Sequence, residues 1–380
     1  MIPFDAEKLR RLMGEHGVDV LLTTTRHNIR YLTGGYYFPF FARSTRFGSG
    51  QYMAVVAIPA EKITSAFYVG REDEAQYIDA FGGFWIADIQ RVARGSRMTV
   101  GMAEKTAELL RAQGRAGGTM AVEFSFLPAD AFQALHRDLP EVTFVDATSI
   151  LGELRAVKRP AELERLRAVH SRTAEAIRET LGAGRPDQTT RQIAATLERR
   201  IEERGASFLY AYTNVGPGLV RVPSSERWGK GRPLHIDAGA RVDEYTSDIA
   251  RMGSIGEAPA LAREMFGACM RAQDRVRSAV SPGLPCRDLQ RIGTEALRPT
   301  PWGQYGRFVA HGLGIVSHEP PEVTENSSRP LETGMVISIE TEYRHPDVGH
   351  VKLEDTVVVT ETGCDGLGDV QRDWYTVPAA

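Results

Sequence analysis

Four acids, each in a stretch of strand length and three of them inside apolar runs, constrain this chain more than any other feature. They are Asp237 in LHIDAGA, Asp248 in EYTSDIARM, Glu340 in VISIETE and Glu354 in VKLEDTVVV. An ionised carboxylate is costly among apolar neighbours unless something compensates its charge. The spacing sharpens the problem. Asp237 and Asp248 are equidistant from a point between Val242 and Asp243, and Glu340 and Glu354 are equidistant from Asp347. If each segment closes as a hairpin about its centre, both pairs face each other across a ladder with Cβ atoms ~5 Å apart. Like charges so placed repel unless a cation lies between them. One pair alone could be a protonated acid or two solvated groups at a sheet edge. Two pairs point to divalent ions, which carboxylates can bridge at ~3.5–4 Å.

The stretch AHGLGIVSHEPPEV (310–323) supplies an imidazole partner. Its two histidines, His311 and His318, cannot form a zinc-protease helix. Gly312 and Gly314 disfavour a helix, and Pro320 and Pro321 fall where it would have to continue. Both rings therefore belong on a strand or loop. Four oxygen donors and one imidazole suit manganese, cobalt, iron or zinc.

Around these motifs the chain changes character once. The first ~150 residues alternate between helix-like and strand-like segments, as expected of an α/β domain: a helix over 5–16, strands at 18–24, 51–59, 64–70 and 118–124, and a helix at 102–114. From TSILGELRAVKRPAELERLR onward, two long amphipathic helices follow, the second over roughly 187–204. Strands are expected at 232–240, 244–252, 334–343 and 350–360, with helical tracts at 258–279 and 286–297 between the two pairs. The expected division is 1–150 and 151–380.

The remaining composition excludes more than it assigns. A net charge of −3 with no basic run argues against nucleic acid and anionic membranes. No apolar run approaches the ~20 residues of a membrane span. Three scattered cysteines, Cys269, Cys286 and Cys364, form neither a disulfide framework nor a metal knuckle and fit a reducing cytoplasm.

The segments IDAGARVDEYTSDIAR, AHGLGIVSHEPP, ISIETEY and VKLEDTVVV together resemble the five-ligand signature of the pita-bread metallohydrolases: methionine aminopeptidase, prolidase, aminopeptidase P and creatinase. NIRYLTGGYY (28–37) and ELRAVKRPAELERLR (153–167) resemble the longer prolidase and creatinase branch. The resemblance implies a creatinase/prolidase-like α/β N-terminal domain followed by an α+β pita-bread catalytic domain. It also implies two divalent ions, manganese foremost, held by Asp237, Asp248, His311, Glu340 and Glu354. His318 would assist the tetrahedral intermediate and Glu340 would carry the proton. The substrate would be a small peptide of the Xaa-Pro type, and the protein a homodimer. A non-peptidase amidohydrolase or lyase of the same scaffold, acting on a small zwitterionic or acidic metabolite, is the second reading. A binding module that has lost catalysis is the third, and the retained ligands argue against it.

Three departures from the family pattern stand out. The histidine that peptidase members carry upstream of the first aspartate is absent from NVGPGLVRVPSSERW, where Arg221 lies near its place. Glu-Pro-Gly becomes Glu340-Thr341-Glu342, and the usual arginine two residues before the last ligand is Lys352. Arg221, Glu342 and Lys352 are expected either to meet substrate or, for the first two, to be solvated rim residues. Finally, YYFPFFARSTRFGSG (36–50) is dense in aromatics and arginines. It would serve as packing under the N-terminal sheet or as a lid carrying Arg43 and Arg46, which the resemblance would bring from the other subunit.

Overall fold

The computed structural model of the chain describes residues 1–39, 52–93, 95 and 98–379. Arg43 and Arg46 lie outside the described residues. The chain forms two units, Met1–Leu154 and Arg155–Ala380.

In the first unit, strands β1 (Val20–Thr23), β2 (Val55–Pro59), β3 (Phe67–Arg71), β4 (Asp88–Val92), β5 (Gly117–Val122) and β6 (Glu141–Asp146) form one mixed sheet in the order β4-β3-β2-β1-β5-β6. Its central strands are buried on both faces, which explains their uninterrupted apolar runs. Helices α1 (Ala6–Glu15), α2 (Arg26–Thr33), α3 (Ala75–Phe81), α4 (Met98–Ala112) and α5 (Ala129–Asp138) complete the α/β unit, and α6 (Thr148–Ala156) ends it. Val20, Leu22, Val55 and Phe67 share one core with Ala103, Ala107 and Leu110 of α4. Glu123, just past β5, fastens the start of α2: its carboxylate accepts from the Thr24 and Thr25 amides at 2.7 and 3.0 Å. The strands β4 and β6 and the helices α2, α3 and α5 were not expected from the sequence.

The second unit uses one plan twice. Helices α7 (Pro160–Gly182) and α8 (Thr190–Glu203) precede strands β7 (Ser207–Val215), β8 (Leu234–Val242), β9 (Tyr245–Thr246) and β10 (Ile249–Ile255). Helices α9 (Ala260–Ala279) and α10 (Cys286–Leu297) then precede β11 (Gly306–Gly312), β12 (Glu319–Glu322), β13 (Val336–His345) and β14 (Gly349–Val359), with β15 (Cys364–Leu367) and β16 (Tyr375–Val377) at the end. Pro160 occupies the first helical turn of α7, and Thr189 caps α8 by accepting from the Gln192 amide at 3.2 Å. The principal sheet order is β12-β11-β13-β14-β10-β8-β7, all antiparallel.

Strand alternation sorts this sheet into two faces. Leu234, Ile236, Ala238 and Ala240 of β8 pack with Val169, Ile177 and Leu197 of α7 and α8. Phe308, Ala310, Ile337, Ile339, Val351 and Leu353 pack with Met265, Cys269 and Leu289 of α9 and α10. The intervening residues, among them His235, Asp237, His311, Glu340, Glu342, Lys352 and Glu354, are thereby turned to the opposite face. Helix packing on one side concentrates the polar groups on the other.

A buried triad also ties this unit together. Glu319 of β12 lies 2.9 Å from Arg155 Nε and 3.0 Å from Lys158 Nζ, with all three side chains almost fully buried. Burial opposes the Glu319 charge, but Lys158 and Arg155 outweigh it and hold the carboxyl below its ordinary value. Its stabilising contribution is therefore full above the unfolded pKa near 4.5 and lost as pH falls through the depressed folded value. Glu319→Ala would strand two buried cations and should cost about 3–5 kcal/mol in denaturant unfolding at neutral pH. A loss under ~1 kcal/mol, the value of an exposed pair, would contradict the triad's role.

Candidate metal centre

The two acid pairs meet in the structure by different registers. Glu340 and Glu354 are direct partners across β13 and β14, with the ladder closing at His345 and Gly349 around Asp347. Asp237 instead pairs with Ala250, not Asp248. Val242 pairs with Tyr245, and Asp243 and Glu244 turn the chain with positive φ values of 50° and 70°. That two-residue turn has the backbone of a type I′ hairpin, usually made with Asn or Gly. It moves the centre one position from that expected, so Asp237 and Asp248 are diagonal rather than opposite. His311 lies on β11, and His318 in the loop before β12.

These elements converge. Ligand atoms of Asp248, His311 and Glu354 all lie within 4.8 Å of one another, and all three residues are buried. His311 Nε2 is 3.9 Å from Asp248 Oδ2 and 3.3 Å from Glu340 Oε1, out of line for a hydrogen bond. Glu354 Oε2 lies 2.8 Å from the Lys352 ammonium. A buried imidazole nitrogen with no hydrogen-bond partner, beside two buried carboxylates, is what a divalent ion would complete. The residues fit one such ion through Asp248, His311 and Glu354, with Glu340 alongside.

Asp237 has different company. Lys352 Nζ donates to Asp237 Oδ2 at 2.8 Å and lies 2.7 Å from Glu340 Oε2 and 2.8 Å from Glu354 Oε2. Arg221 Nη1 reaches the same Asp237 oxygen at 3.0 Å, its guanidinium 5.3 Å over the Tyr212 ring. Lys352, expected to meet substrate, is buried among the acids, and Arg221 is partly committed to them. Glu342 is no solvated rim residue: it is 2% exposed and pairs with Arg344 at 2.7 Å, with His350 Nδ1 at 3.7 Å. Burial works against its charge, but His350, Lys352 and Arg344 hold its carboxyl down at about 2.

The electrostatics divide the cluster. Burial opposes the charge of Glu340, yet Lys352 and His311 outweigh it and hold its carboxyl well below the usual range. Burial would also discharge Lys352, but Glu354, Asp237, Glu340 and Asp248 push its pKa well above the ordinary lysine value. In contrast, burial raises Asp248 to about 8, with Asp237 adding to the shift. Burial, then Asp248 and Glu340, push Glu354 up as well. Burial is thus least offset at Asp248 and Glu354, although Lys352 Nζ lies 2.8 Å from Glu354.

Several supporting residues escaped the sequence reading. Tyr210 of β7 donates its hydroxyl to Asp248 Oδ1, and Ser338 Oγ donates to Glu354 Oε1 at 2.8 Å. The alternation in SFLYAYTNV is a strand signal that could have found Tyr210. The rings of His235 and His350 stack at 5.5 Å, and burial holds His235 well below its usual pKa. His318 stacks on His311 with centroids 3.8 Å apart. Burial and the adjacent His311 lower its pKa.

The site lies within a stretch of the chain that matches a known family. The pattern of the metallopeptidase family M24 matches residues 164–361, and that of the creatinase/prolidase N-terminal domain matches residues 6–157. The chain belongs to the metallopeptidase family M24. It is a metal-dependent hydrolase with a creatinase-type N-terminal unit and a pita-bread catalytic unit. Among M24 relatives, the Xaa-Pro dipeptidase of Pyrococcus furiosus is 28% identical over 236 residues, 60% of this chain and 68% of that one. The uncharacterized peptidase YqhT of Bacillus subtilis is 24% identical over 94% of this chain and 95% of its own. The crystal structure of a dipeptidase from Pyrococcus horikoshii shares the fold with a TM-score of 0.85 at 24% identity, covering 98% of this chain and 99% of that one. That of an X-Pro aminopeptidase from Thermotoga maritima does so at 0.80 and 20% identity, with 98% and 99% covered.

Groups that orient metal ligands typically carry a 10–100-fold share of affinity. Ser338→Ala should therefore weaken manganese binding by at least ~10-fold in a calorimetric titration without changing the circular dichroism spectrum. Unchanged affinity would mean that packing alone aims Glu354.

Proposed function

We propose that this chain hydrolyses the amide bond of a small peptide of the Xaa-Pro type. Manganese is the proposed working ion, with cobalt, zinc or iron able to take its place. The observation that carries the reading is the unsatisfied His311 Nε2 set beside the buried carboxylates of Asp248 and Glu354. The names of the P. furiosus dipeptidase and the T. maritima aminopeptidase support the substrate class.

A bound divalent ion would supply Lewis acidity, lowering the pKa of a water and polarising the scissile carbonyl. Glu340, kept ionised by Lys352 and His311, accepts the proton of the attacking water and returns it to the leaving nitrogen. The His318 ring, stacked on His311, donates a hydrogen bond to the developing oxyanion. Arg221, 28% exposed at its side chain, offers a positive edge beside Tyr212 for a substrate carboxylate.

Arg221 also favours the second reading. A dipeptide supplies a carboxylate, but so does a small zwitterionic or acidic amide, the substrate class of a creatinase- or ectoine-hydrolase-like enzyme. The homodimer rests on the resemblance at residues 28–50. A cytoplasmic setting is supported by the free Cys269, Cys286 and Cys364, and no helix among the described residues is long and apolar enough to cross a membrane.

Two experiments test these roles. His318→Ala should lower kcat by ~10²-fold or more with metal content intact, as expected for a lost oxyanion donor, and Glu340→Gln should abolish turnover. Loss of metal in His318→Ala would instead make that residue a structural one. With manganese present, Gly-Pro, Ala-Pro and Xaa-Pro-Xaa peptides should be cleaved faster than creatine- or ectoine-type amides. The reverse order would establish the non-peptidase reading.

A further inference from the structure

We infer that each subunit of this protein binds a single divalent ion, and that the Lys352 ammonium fills the position a second ion would need. The inference rests on reading the cluster as a hydrolase metal centre and deepens it, because it changes how many cations the same carboxylates hold.

The geometry is that of a built ammonium site. Lys352 Nζ lies 2.7–2.8 Å from oxygens of Asp237, Glu340 and Glu354, which come from β8, β13 and β14. These are the distances of charge-assisted contacts to an ammonium group, a compact charge with three donors. The Lys352 side chain is 3% exposed, so its stem is fixed by the sheet. A metal ion needs bonds of ~2.0–2.2 Å to carboxylate oxygens and cannot share that space with Nζ. An arginine could not sit there in the same way, since its planar fork is larger and directional.

Asp237 is further removed from ligation by Arg221, which shares the same Oδ2. To bind metal through that oxygen, Asp237 would have to give up both partners. The other half of the cluster is open by comparison: ligand atoms of Asp248, His311 and Glu354 lie within 4.8 Å of one another, and His311 Nε2 has no hydrogen-bond partner. Charge leads to the same stoichiometry. The four carboxylates are neutralised by Lys352, Arg221 and one divalent ion, whereas a second divalent ion would leave a buried excess of positive charge. Lys352 thus replaces an exchangeable cation with a fixed one and holds Glu340 in place.

The test is manganese stoichiometry of the full-length protein, by elemental analysis after removal of loosely bound ion, together with electron paramagnetic resonance. The wild-type protein should retain one manganese per chain with the hyperfine pattern of an isolated ion. Lys352→Ala should retain two, with the signal of an exchange-coupled pair. Two coupled ions in the wild-type protein would overturn the inference while leaving the metal-dependent hydrolase intact. A folded Lys352→Ala protein that still holds one ion would show that the lysine is not what excludes the second. Absence of manganese from both proteins would overturn the inference and the metal-centre reading together. Should Lys352→Ala fail to fold, the wild-type stoichiometry and coupling decide alone.

Discussion

Mutual repulsion among buried carboxylates is the constraint on which the catalytic unit depends. Asp237, Asp248 and Glu354 are each no more than 6% exposed, and Glu340 stands beside them. Such a cluster persists only if cations enter it, because several uncompensated charges in a low-dielectric interior would cost more than the net stability of a domain. The fold supplies some of those cations itself. Lys352 and Arg221 both pair with Asp237, and Lys352 also reaches Glu340 and Glu354. That arrangement links strand register to chemistry: Glu340 beside the fixed ammonium is held ionised, while burial raises Asp248 and Glu354.

The sheet makes the cluster possible by separating two jobs between its faces. Alternate residues of β8, β13 and β14 pack on helices α7 to α10, and those between them carry the polar site. The cores therefore fix the backbone that aims the acids. Within the polar face, Tyr210, Ser338 and Glu342 are positioned by neighbouring strands, so the environment of each acid comes from the tertiary fold as well as from its own strand.

Much of this was legible in the sequence wherever pattern and burial coincide. The strands carrying Asp237, Glu340 and Glu354 read as apolar runs interrupted by acids, and the β13–β14 register followed from symmetry about Asp347. The β8–β10 register did not, because Asp243 and Glu244 adopt the left-handed region that sequence rules reserve for Gly or Asn. The strand β4 was missed since DIQRV is polar and only half-buried, and α2 because it is a helix of eight residues. The partners of Lys352 were the least legible. Alternation places it on the same face as Glu354, but only the pairing of β8 and β14 through β10 brings Asp237 to its amine. A lysine among substrate-binding expectations thus became an internal counter-ion.

Anomalous X-ray diffraction at the manganese edge, on crystals equilibrated with manganese at neutral pH, tests the central claim most directly. One anomalous peak per chain is expected, bounded by Asp248, His311 and Glu354, with Lys352 still seated between Asp237, Glu340 and Glu354. No peak, with the four carboxylates unchanged around empty solvent, would contradict the claim that this cluster exists to hold a cation.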